Sequence, residues 1–280
     1  MINTIRIVYL VFAITLVFGC SKSENPDTTG EKIEETPDEQ NILVVAHRGA
    51  WKEFNLPENS IASLNKAIEI GSNISECDIQ LTKDLQVVIF HDEMVRGKYI
   101  KEQTYSELSQ FSLSNGEKIP LLSTYLDIVI ENKFKLWLDI KSLSELAGNN
   151  AWSIKAGEEA AKVIENKNAQ QYVSFIVGRM EVLDKCIGFA KGNWECAYMN
   201  ADFTSAQFVS KGYSWANFSF EKFYQNNTTN NSQLITDYTS KKIKVSVYTI
   251  DDNTVMDWFL DQNSIYAIST NLPFKLLSKF

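Results

Sequence analysis

The sequence predicts an α/β protein folded as a (β/α)8 TIM barrel. Short apolar runs of strand length alternate with stretches of helical periodicity, and eight such runs fit between residues 41 and 280. Polar residues follow several of these runs directly, as His47 follows Ala46. In a barrel of parallel strands, such positions meet at one mouth. The pattern therefore predicts both the fold and the end of it where polar groups gather.

The predicted strands and helices alternate along the chain. The first strand, 43–46, is entirely apolar, and the first helix, 60–70, has apolar residues at helical spacing with Asn59 or Ser60 as its N-cap. The predicted strands cover residues 43–46, 75–81, 135–141, 172–177, 194–199, 214–218, 244–250 and 265–270. The predicted helices cover residues 60–70, 105–111, 121–132, 153–166, 179–191, 204–211, 232–242 and 253–261.

The second predicted strand alternates between apolar and polar residues. Its two faces carry Cys77, Ile79 and Leu81 on one side and Glu76, Asp78 and Gln80 on the other. In a barrel the apolar face packs under the helices, so the acids are expected to face the lumen. The strand 135–141 alternates in the same way and is expected to turn Asp139 and Lys141 toward the same space.

A β-hairpin is predicted directly after the second strand, which makes the barrel a distorted one. Only four residues separate Thr82 from Val87, too few for a parallel crossover. Pairing Thr82 with Val87 places Asp78 opposite His91, and residues opposite each other across a ladder have Cβ atoms roughly 5 Å apart. The hairpin is therefore expected to bring His91 to the acids of the second strand.

Residues 1–20 have the features of a signal peptide. Arg6 precedes twelve apolar or small residues, 7–18, fewer than the ~20 needed to span a bilayer. Val17-Phe18-Gly19-Cys20 resembles a bacterial lipoprotein box, which implies cleavage before Cys20 and lipid on its thiol. The alternative is a plain secretory signal with an incidental cysteine. The resemblance implies a protein of the bacterial cell envelope, periplasm-facing or surface-exposed, that meets the membrane through its lipid anchor only.

Residues 21–40 predict a disordered acidic tether, which leaves 41–280 as the barrel domain. The tether contains seven acids, two lysines and two prolines. The net charge of −8 argues against nucleic acid as a partner. A disulfide between Cys186 and Cys196 is compatible with an oxidising compartment. The oligomeric state is left open.

Both histidines of the chain, His47 and His91, follow apolar strand runs. In the barrel they are expected to share one mouth with three acids, Glu76, Asp78 and Asp139. Taken singly, an acid on a strand usually faces water and a histidine at a strand end is more often structural. Three carboxylates together are hard oxygen ligands that suit Mg²⁺ or Ca²⁺ better than a structural zinc site. Their shared mouth favours a divalent cation as cofactor.

Arg48 and Lys141 add fixed positive charge at the same mouth. Arginine forks onto phosphate oxygens and lysine supplies a point charge. Histidine can accept or donate a proton near neutral pH. Two histidines, a carboxylate-held cation and two basic groups form a set suited to cleaving a phosphodiester. The expected partner is therefore a small-molecule phosphodiester substrate.

These residues lie in motifs that together resemble the glycerophosphodiester phosphodiesterase family over residues 42–280. The first block of motifs is specific in combination, and the later ones are weak singly. The motifs are His47-Arg48-Gly49, Pro57-Glu58-Asn59-Ser60, Glu76-x-Asp78, Thr82-x-Asp84, His91-Asp92, Ile119-Pro120-Leu121, Asp139-x-Lys141, Tyr248-Thr249 and Thr270-Asn271-x-Pro273.

The resemblance implies a distorted TIM barrel that hydrolyses glycerophosphodiesters to sn-glycerol 3-phosphate and an alcohol. In the family mechanism a neighbouring hydroxyl of the substrate attacks phosphorus, and the resulting cyclic phosphate is then hydrolysed. Which histidine acts first is left open. The implied roles are acid–base catalysis for His47 and His91, metal binding for Glu76, Asp78 and Asp139, phosphate contact for Arg48 and Lys141, and a supporting position for Glu58.

The sequence departs from the family pattern at three positions. Asp139 stands where the family usually has Glu, Tyr248 replaces the usual Trp, and Asn271 replaces the usual Asp. Asp139 resembles the related sphingomyelinase D-like enzymes, which makes a phospholipase D-like lyase on lysolipids one alternative. A catalytically weakened glycerophosphodiester-binding lipoprotein is the other. The segment after His91 is shorter than usual, so the headgroup specificity is also left open.

Overall fold

The described part of the chain is built around a closed barrel of eight parallel strands. A computed structural model describes residues 42–141, 150–199, 202–225, 230–262 and 264–280, all of which belong to the unit Glu39–Phe280. The strands are β1 (Leu43–Ala46), β2 (Ile74–Leu81), β3 (Val87–Ile89), β4 (Met94–Val95), β5 (Lys98–Tyr99), β6 (Lys135–Ile140), β7 (Val173–Val177), β8 (Cys196–Tyr198), β9 (Trp215–Ser219), β10 (Lys244–Tyr248) and β11 (Ala267–Thr270).

The eight barrel strands are β1, β2 and β6 to β11, which confirms the predicted fold. They follow one another around the barrel in chain order, and β1 pairs in parallel with both β2 and β11 to close it. The expected lipoprotein signal peptide (1–20), with Cys20, and the expected tether (21–40) lie outside the described residues. No helix among the described residues is long and apolar enough to cross a bilayer.

The helices begin at recognisable caps. Ser60 accepts a hydrogen bond from the Ser63 amide and closes a capping box at the start of the first helix, whose Leu64 and Ala67 are buried. The last helix was not predicted, nor was the small β4–β5 ladder. The helices are α1 (Ile61–Glu69), α2 (Tyr105–Leu108), α3 (Leu122–Glu131), α4 (Ala151–Asn166), α5 (Met180–Ala190), α6 (Ser205–Lys211), α7 (Ser232–Thr239), α8 (Asn253–Leu260) and α9 (Pro273–Leu277).

Two apolar cores lie on the two faces of the barrel sheet. The larger one is between the strands and the helices and contains Cys77, Ile79 and Leu81, as the alternation predicted. The smaller one fills the lumen, where the Trp137 and Trp215 rings meet edge to face with centroids 4.7 Å apart. These rings fill the lumen near the amino ends of the strands. The polar residues that follow them on β6 and β9 therefore lie closer to the carboxyl ends of the barrel strands.

The predicted hairpin is present, but its predicted register is wrong by one residue. Leu81 pairs with Val87, and Phe90 rather than His91 lies opposite Asp78, donating its amide to the Asp78 carbonyl at 3.0 Å. Thr82 closes the turn: its amide donates to the Gln86 carbonyl at 3.0 Å, and its Oγ1 accepts from the Gln86 amide at 2.9 Å. The loop therefore has three residues, not four.

His91 reaches the mouth by a different route from the one predicted. The chain leaves the ladder after β3, and the Gln80 amide donates to the carbonyls of His91 and Asp92 at 3.1 and 3.0 Å. The segment that follows packs on a core of its own. That core contains Val88, Val95, Ile100, Leu108 and Ile119. A lumen-facing side chain of β2 therefore positions the second histidine.

The cysteines of the barrel domain are all free. Cys77 and Cys186 are buried and Cys196 is half-buried. The Cys186–Cys196 disulfide that the compartment would permit is therefore not present, and burial raises the pKa of the Cys196 thiol to about 12. Thiols of this kind pack as small apolar groups.

Replacing Gly49 by alanine is expected to destabilise the fold. Gly49 has φ +83°, and a Cβ there would lie 2.4 Å from Ser63 Oγ and 2.7 Å from the Ser63 carbonyl carbon. The clash and the left-handed backbone should together lower the free energy of unfolding by about 3 kcal/mol. Denaturant unfolding measures this change. Gly71→Ala is the matched control, because Gly71 has φ +78° with nothing within 4 Å of the added Cβ. Equal losses in both variants would contradict the role assigned to the Ser63 contact.

Candidate active site

The predicted site residues line one cavity of about 240 Å³ at the carboxyl ends of the barrel strands. The structure brings together all seven side chains that the sequence singled out for chemistry at the mouth. They are His47, Arg48, Glu76, Asp78, His91, Asp139 and Lys141. Glu58 lies behind this set, where it binds Arg48. Other walls of the cavity come from strands that the sequence did not single out.

Three buried carboxylates form the centre of the site. Asp78 on β2 is in register with Asp139 on β6, and Glu76 lies two residues before Asp78 on the same lumen face. One oxygen from each of the three lies within 4.8 Å of the others. Their exposed fractions are 3%, 1% and 6% for Glu76, Asp78 and Asp139. Such burial makes their mutual repulsion strong.

The pKa values of these acids diverge because their neighbours differ. Burial, together with Asp78 and Asp139, raises the pKa of Glu76 well above its usual value. Burial also raises the pKa of Asp139, and the repulsion from Asp78 adds to it despite Lys141. Burial would raise the pKa of Asp78 as well, yet Lys141 and Arg48 outweigh it and the pKa is lowered. Mutual repulsion and burial therefore disfavour the charged forms of Glu76 and Asp139, while Asp78 is stabilised as a carboxylate.

This donor set fits a hard divalent cation. The oxygens are close enough to converge on one ion, and they include no sulfur or nitrogen ligand. A cation would relieve the repulsion that raises the pKa values of Glu76 and Asp139. Asp139 provides the third oxygen despite the shorter side chain.

Arg48 and Lys141 contact the carboxylates from two sides. Arg48 Nη1 donates to both oxygens of Glu58 at 3.0 Å, and its Nε lies 3.3 Å from Asp78 Oδ2. Lys141 Nζ lies 3.0 Å from Asp139 Oδ2 and 3.2 Å from Asp78 Oδ1. These carboxylates raise the pKa of Lys141 although burial lowers it, so the ammonium stays charged. The contact of Arg48 and Lys141 with phosphate remains a prediction.

Asn59 is a positioning residue that the sequence analysis quoted in a motif but assigned only to a helix cap. Its Nδ2 donates to Asp78 Oδ2 at 2.7 Å, and its Oδ1 accepts from the Asp78 amide at 3.1 Å. The side chain is buried, and the backbone has φ 56°. This two-point contact fixes the carboxylate that lies between Arg48 and Lys141. Its only signal in the sequence is its place after Pro57-Glu58.

A chain of hydrogen bonds fixes the orientation and the tautomer of the His47 imidazole. Asn271 Nδ2 donates to Asp251 Oδ2 at 3.0 Å, so Asn271 Oδ1 is the acceptor that lies 2.8 Å from His47 Nδ1. The proton of the ring is therefore on Nδ1, and Nε2, 3.9 Å from Glu76 Oε2, has a free lone pair. Burial and the nearby Arg48 lower the pKa of His47 to about 4. Asp251 was not predicted as part of the site.

His91 approaches from the hairpin segment and is more exposed than His47. Its Nδ1 lies 2.8 Å from Asp92 Oδ1, and a third of its side chain is accessible. The pairing with Asp92 leaves Nε2 as the free ring nitrogen among the described contacts. Two imidazoles with different hydrogen-bond partners therefore line the same pocket, as the sequence predicted.

Comparison with known proteins identifies the family. A model described as the glycerophosphoryl diester phosphodiesterase family matches residues 47–271, from the first histidine to Asn271. The chain belongs to this family. A glycerophosphodiester phosphodiesterase from Caldanaerobacter subterraneus subsp. tengcongensis is 37% identical over 112 residues, which cover 36% of this chain and 45% of that relative. The match thus spans less than half the length of this curated relative.

Solved structures of glycerophosphodiester phosphodiesterases share the fold. One from Parabacteroides distasonis is 28% identical, with a TM-score of 0.75 over 86% of this chain and 97% of that one. A phosphodiesterase from Oleispira antarctica, solved with the product sn-glycerol-3-phosphate, is 21% identical, with a TM-score of 0.69 over 84% and 95%. At 21% identity, the comparison with the Oleispira antarctica structure shows a shared fold.

The double substitution Asn271→Asp with Asp251→Asn is expected to raise the pKa of His47 above about 4. The double substitution exchanges the two side chains, so that the carboxylate contacts the His47 ring and the amide lies behind it. The net charge is unchanged. A carboxylate in contact with the ring should stabilise the imidazolium and raise the pKa by about 1 or more. The chain has two histidines, so their titrations can be followed by NMR. Asn73→Asp, at the other end of the barrel, is the control. An unchanged His47 titration would contradict the hydrogen-bond assignment.

Asp139→Asn is expected to weaken divalent-cation binding by about tenfold or more, because a charged ligand of the cluster becomes neutral. Calorimetric titration with Mg²⁺ or Ca²⁺ after treatment with chelator measures the affinity without any substrate. Asp127→Asn is the control, because Asp127 is a surface acid paired with Lys167. Unchanged affinity in the Asp139 variant would remove that residue from the cation site.

Proposed function

We propose that this protein hydrolyses glycerophosphodiesters to sn-glycerol 3-phosphate and an alcohol. One observation carries the proposal: two histidines with different hydrogen-bond partners share a pocket with three buried carboxylates that can hold a cation. The family to which the chain belongs supports the substrate class.

The divalent cation, held by Glu76, Asp78 and Asp139, would lower the pKa of a substrate hydroxyl and neutralise charge on the phosphate. Arg48 and Lys141 add positive charge on either side of Asp78. Both basic groups are anchored by carboxylates, so little reorganisation is needed when a phosphate arrives. The pocket can therefore bind and orient a phosphodiester before the chemical step.

His47 acts as the base of the first step. It is neutral at pH 7 because burial and Arg48 lower its pKa to about 4, and its free Nε2 lies on the side of Glu76. In the first step the neighbouring hydroxyl of the glycerol attacks phosphorus and its proton passes to His47 Nε2. The P–O bond to the alcohol breaks, and His91 donates the proton that the leaving oxygen takes. Intramolecular attack is favoured by its high effective concentration.

The cyclic phosphate formed in this way is then opened by water. His91, now neutral, accepts a proton from water, and His47 returns its proton to the glycerol oxygen as the ring P–O bond breaks. The products are sn-glycerol 3-phosphate and the free alcohol, and both histidines regain their starting states. Each histidine thus acts once as base and once as acid.

His47→Ala and His91→Ala are each expected to lower the release of sn-glycerol 3-phosphate by at least about a hundredfold, the usual size of a general acid–base contribution. The assay supplies glycerophosphodiesters with Mg²⁺ or Ca²⁺ and measures sn-glycerol 3-phosphate directly. Lys66→Ala, on the outer surface of α1 and paired with Glu69, is the control for handling and folding.

Full activity in either histidine variant would refute the assigned acid–base roles. The product also separates hydrolysis from the lyase alternative. Choline release from a lysolipid with a cyclic phosphate as the end product would identify a phospholipase D-like lyase. Tight binding of diesters without turnover, with metal added, would identify a binding protein.

A further inference from the structure

One side chain of β2 ties the loop that carries His91 to the barrel. Gln80 Nε2 donates to the His91 carbonyl at 3.1 Å and to the Asp92 carbonyl at 3.0 Å. A side-chain amide has two N–H groups, so these two bonds use its full donor capacity. Within the part of the chain that the structure describes, no other hydrogen bond joins the backbone of His91 or Asp92 to the barrel. Gln80 therefore fixes the peptide groups that carry the second histidine.

Packing does little to hold the His91 ring. A third of its side chain is accessible, and the side chain of Asp92, its hydrogen-bond partner, is 73% exposed. Close packing confines side chains in a protein interior, and neither of these two lies there. Gln80, in contrast, is only 5% exposed. The orientation of the exposed pair therefore depends on how this buried amide holds its backbone.

β2 presents Gln80 on the same lumen face as two acids of the cation site. Glu76, Asp78 and Gln80 alternate along the strand, so each lies roughly 7 Å from the next. The strand is paired with β6 on one edge and with β3 on the other. One well-held strand therefore sets the position of the His91 loop relative to the carboxylates. Because the amide is neutral, it binds the loop without adding a charge to the cluster.

We propose that Gln80 is a positioning residue for the acid–base role of His91. This inference rests on the proposed function. As the P–O bond to the alcohol breaks, His91 gives its proton to the leaving oxygen, and as water opens the cyclic phosphate, His91 accepts a proton from that water. Both transfers need the ring within hydrogen-bond reach of the oxygen. A misplacement of about 1 Å can lower the rate by about a hundredfold.

Gln80 acts on the reaction only through His91, because it is not among the described residues that line the cavity. This indirect role has a signature that depends on the leaving group. A choline oxygen needs a proton as it departs, whereas p-nitrophenolate is stable as an anion and departs without one. Mispositioning of His91 should therefore slow the release of choline and leave the release of p-nitrophenol almost unchanged.

The experiment measures alcohol release in a single turnover, with the full chain and added divalent cation. The substrates are glycerophosphocholine and the p-nitrophenyl ester of glycerol phosphate, and each variant is compared with the parent on the same substrate. Gln80→Met keeps the length of the side chain and removes its donors. It should slow choline release by about tenfold or more and p-nitrophenol release by less than about twofold.

Gln80→Glu is the second variant. It keeps the shape but turns a carboxylate toward two carbonyls, so its selective loss on choline release should be at least as large. In both variants the p-nitrophenyl substrate should also leave cyclic phosphate behind, because ring opening still needs His91 as a base. His91→Ala provides the reference pattern for complete loss of the group.

Gln86→Met is the matched control. Gln86 lies in the turn of the same hairpin, is exposed, and its amide reaches only the Asp84 carbonyl at 3.5 Å. Both of its release rates should equal those of the parent. Denaturant unfolding of every variant shows whether a loss arises in folded protein.

Three results would overturn the inference and leave the hydrolase intact. They are equal losses on both substrates in the Gln80 variants, no loss on either substrate, and loss of the fold in both variants, which would make the role of Gln80 structural. If the parent releases neither alcohol, the proposed function is overturned and this inference with it.

Discussion

Repulsion among three buried carboxylates is the constraint on which the rest of the mouth depends. Glu76, Asp78 and Asp139 are brought together by the pairing of two adjacent parallel strands, and a low-dielectric lumen makes their proximity costly. The surrounding groups offset part of this repulsion. Arg48 and Lys141 contact the central acid, and Asn59 holds it at two points. A divalent cation would relieve the repulsion that remains.

The same electrostatics separate the two histidines. His47 is buried and lies beside Arg48, so it stays uncharged, and its hydrogen-bond partner is a neutral amide. His91 is more exposed and is tied to a carboxylate. Groups of one chemical type can take opposite roles when their surroundings differ in this way. The two histidines therefore take different roles because the surroundings of their rings differ.

The barrel and most of the pocket could be predicted from the sequence because both follow from periodicity. Alternation along β2 and β6 determines which side chains face the lumen, and short turns limit the topology. The hairpin register could not be predicted, because the Thr82 turn has three residues and turn length is not visible in an apolar pattern. Gln80 and Asp251 were missed for a related reason. Their roles depend on partners 11 and 20 residues away, which spacing alone does not reveal.

The segment that carries His91 is packed on its own small core and is tied to the barrel wall through Gln80. The acids, by contrast, belong to strands whose positions are set by closure of the whole sheet. Insertions or deletions between β3 and α3 can therefore remodel the rim of the mouth without displacing the carboxylates. Such modularity offers a physical route by which one scaffold diversifies its choice of substrate while its carboxylate cluster stays in place.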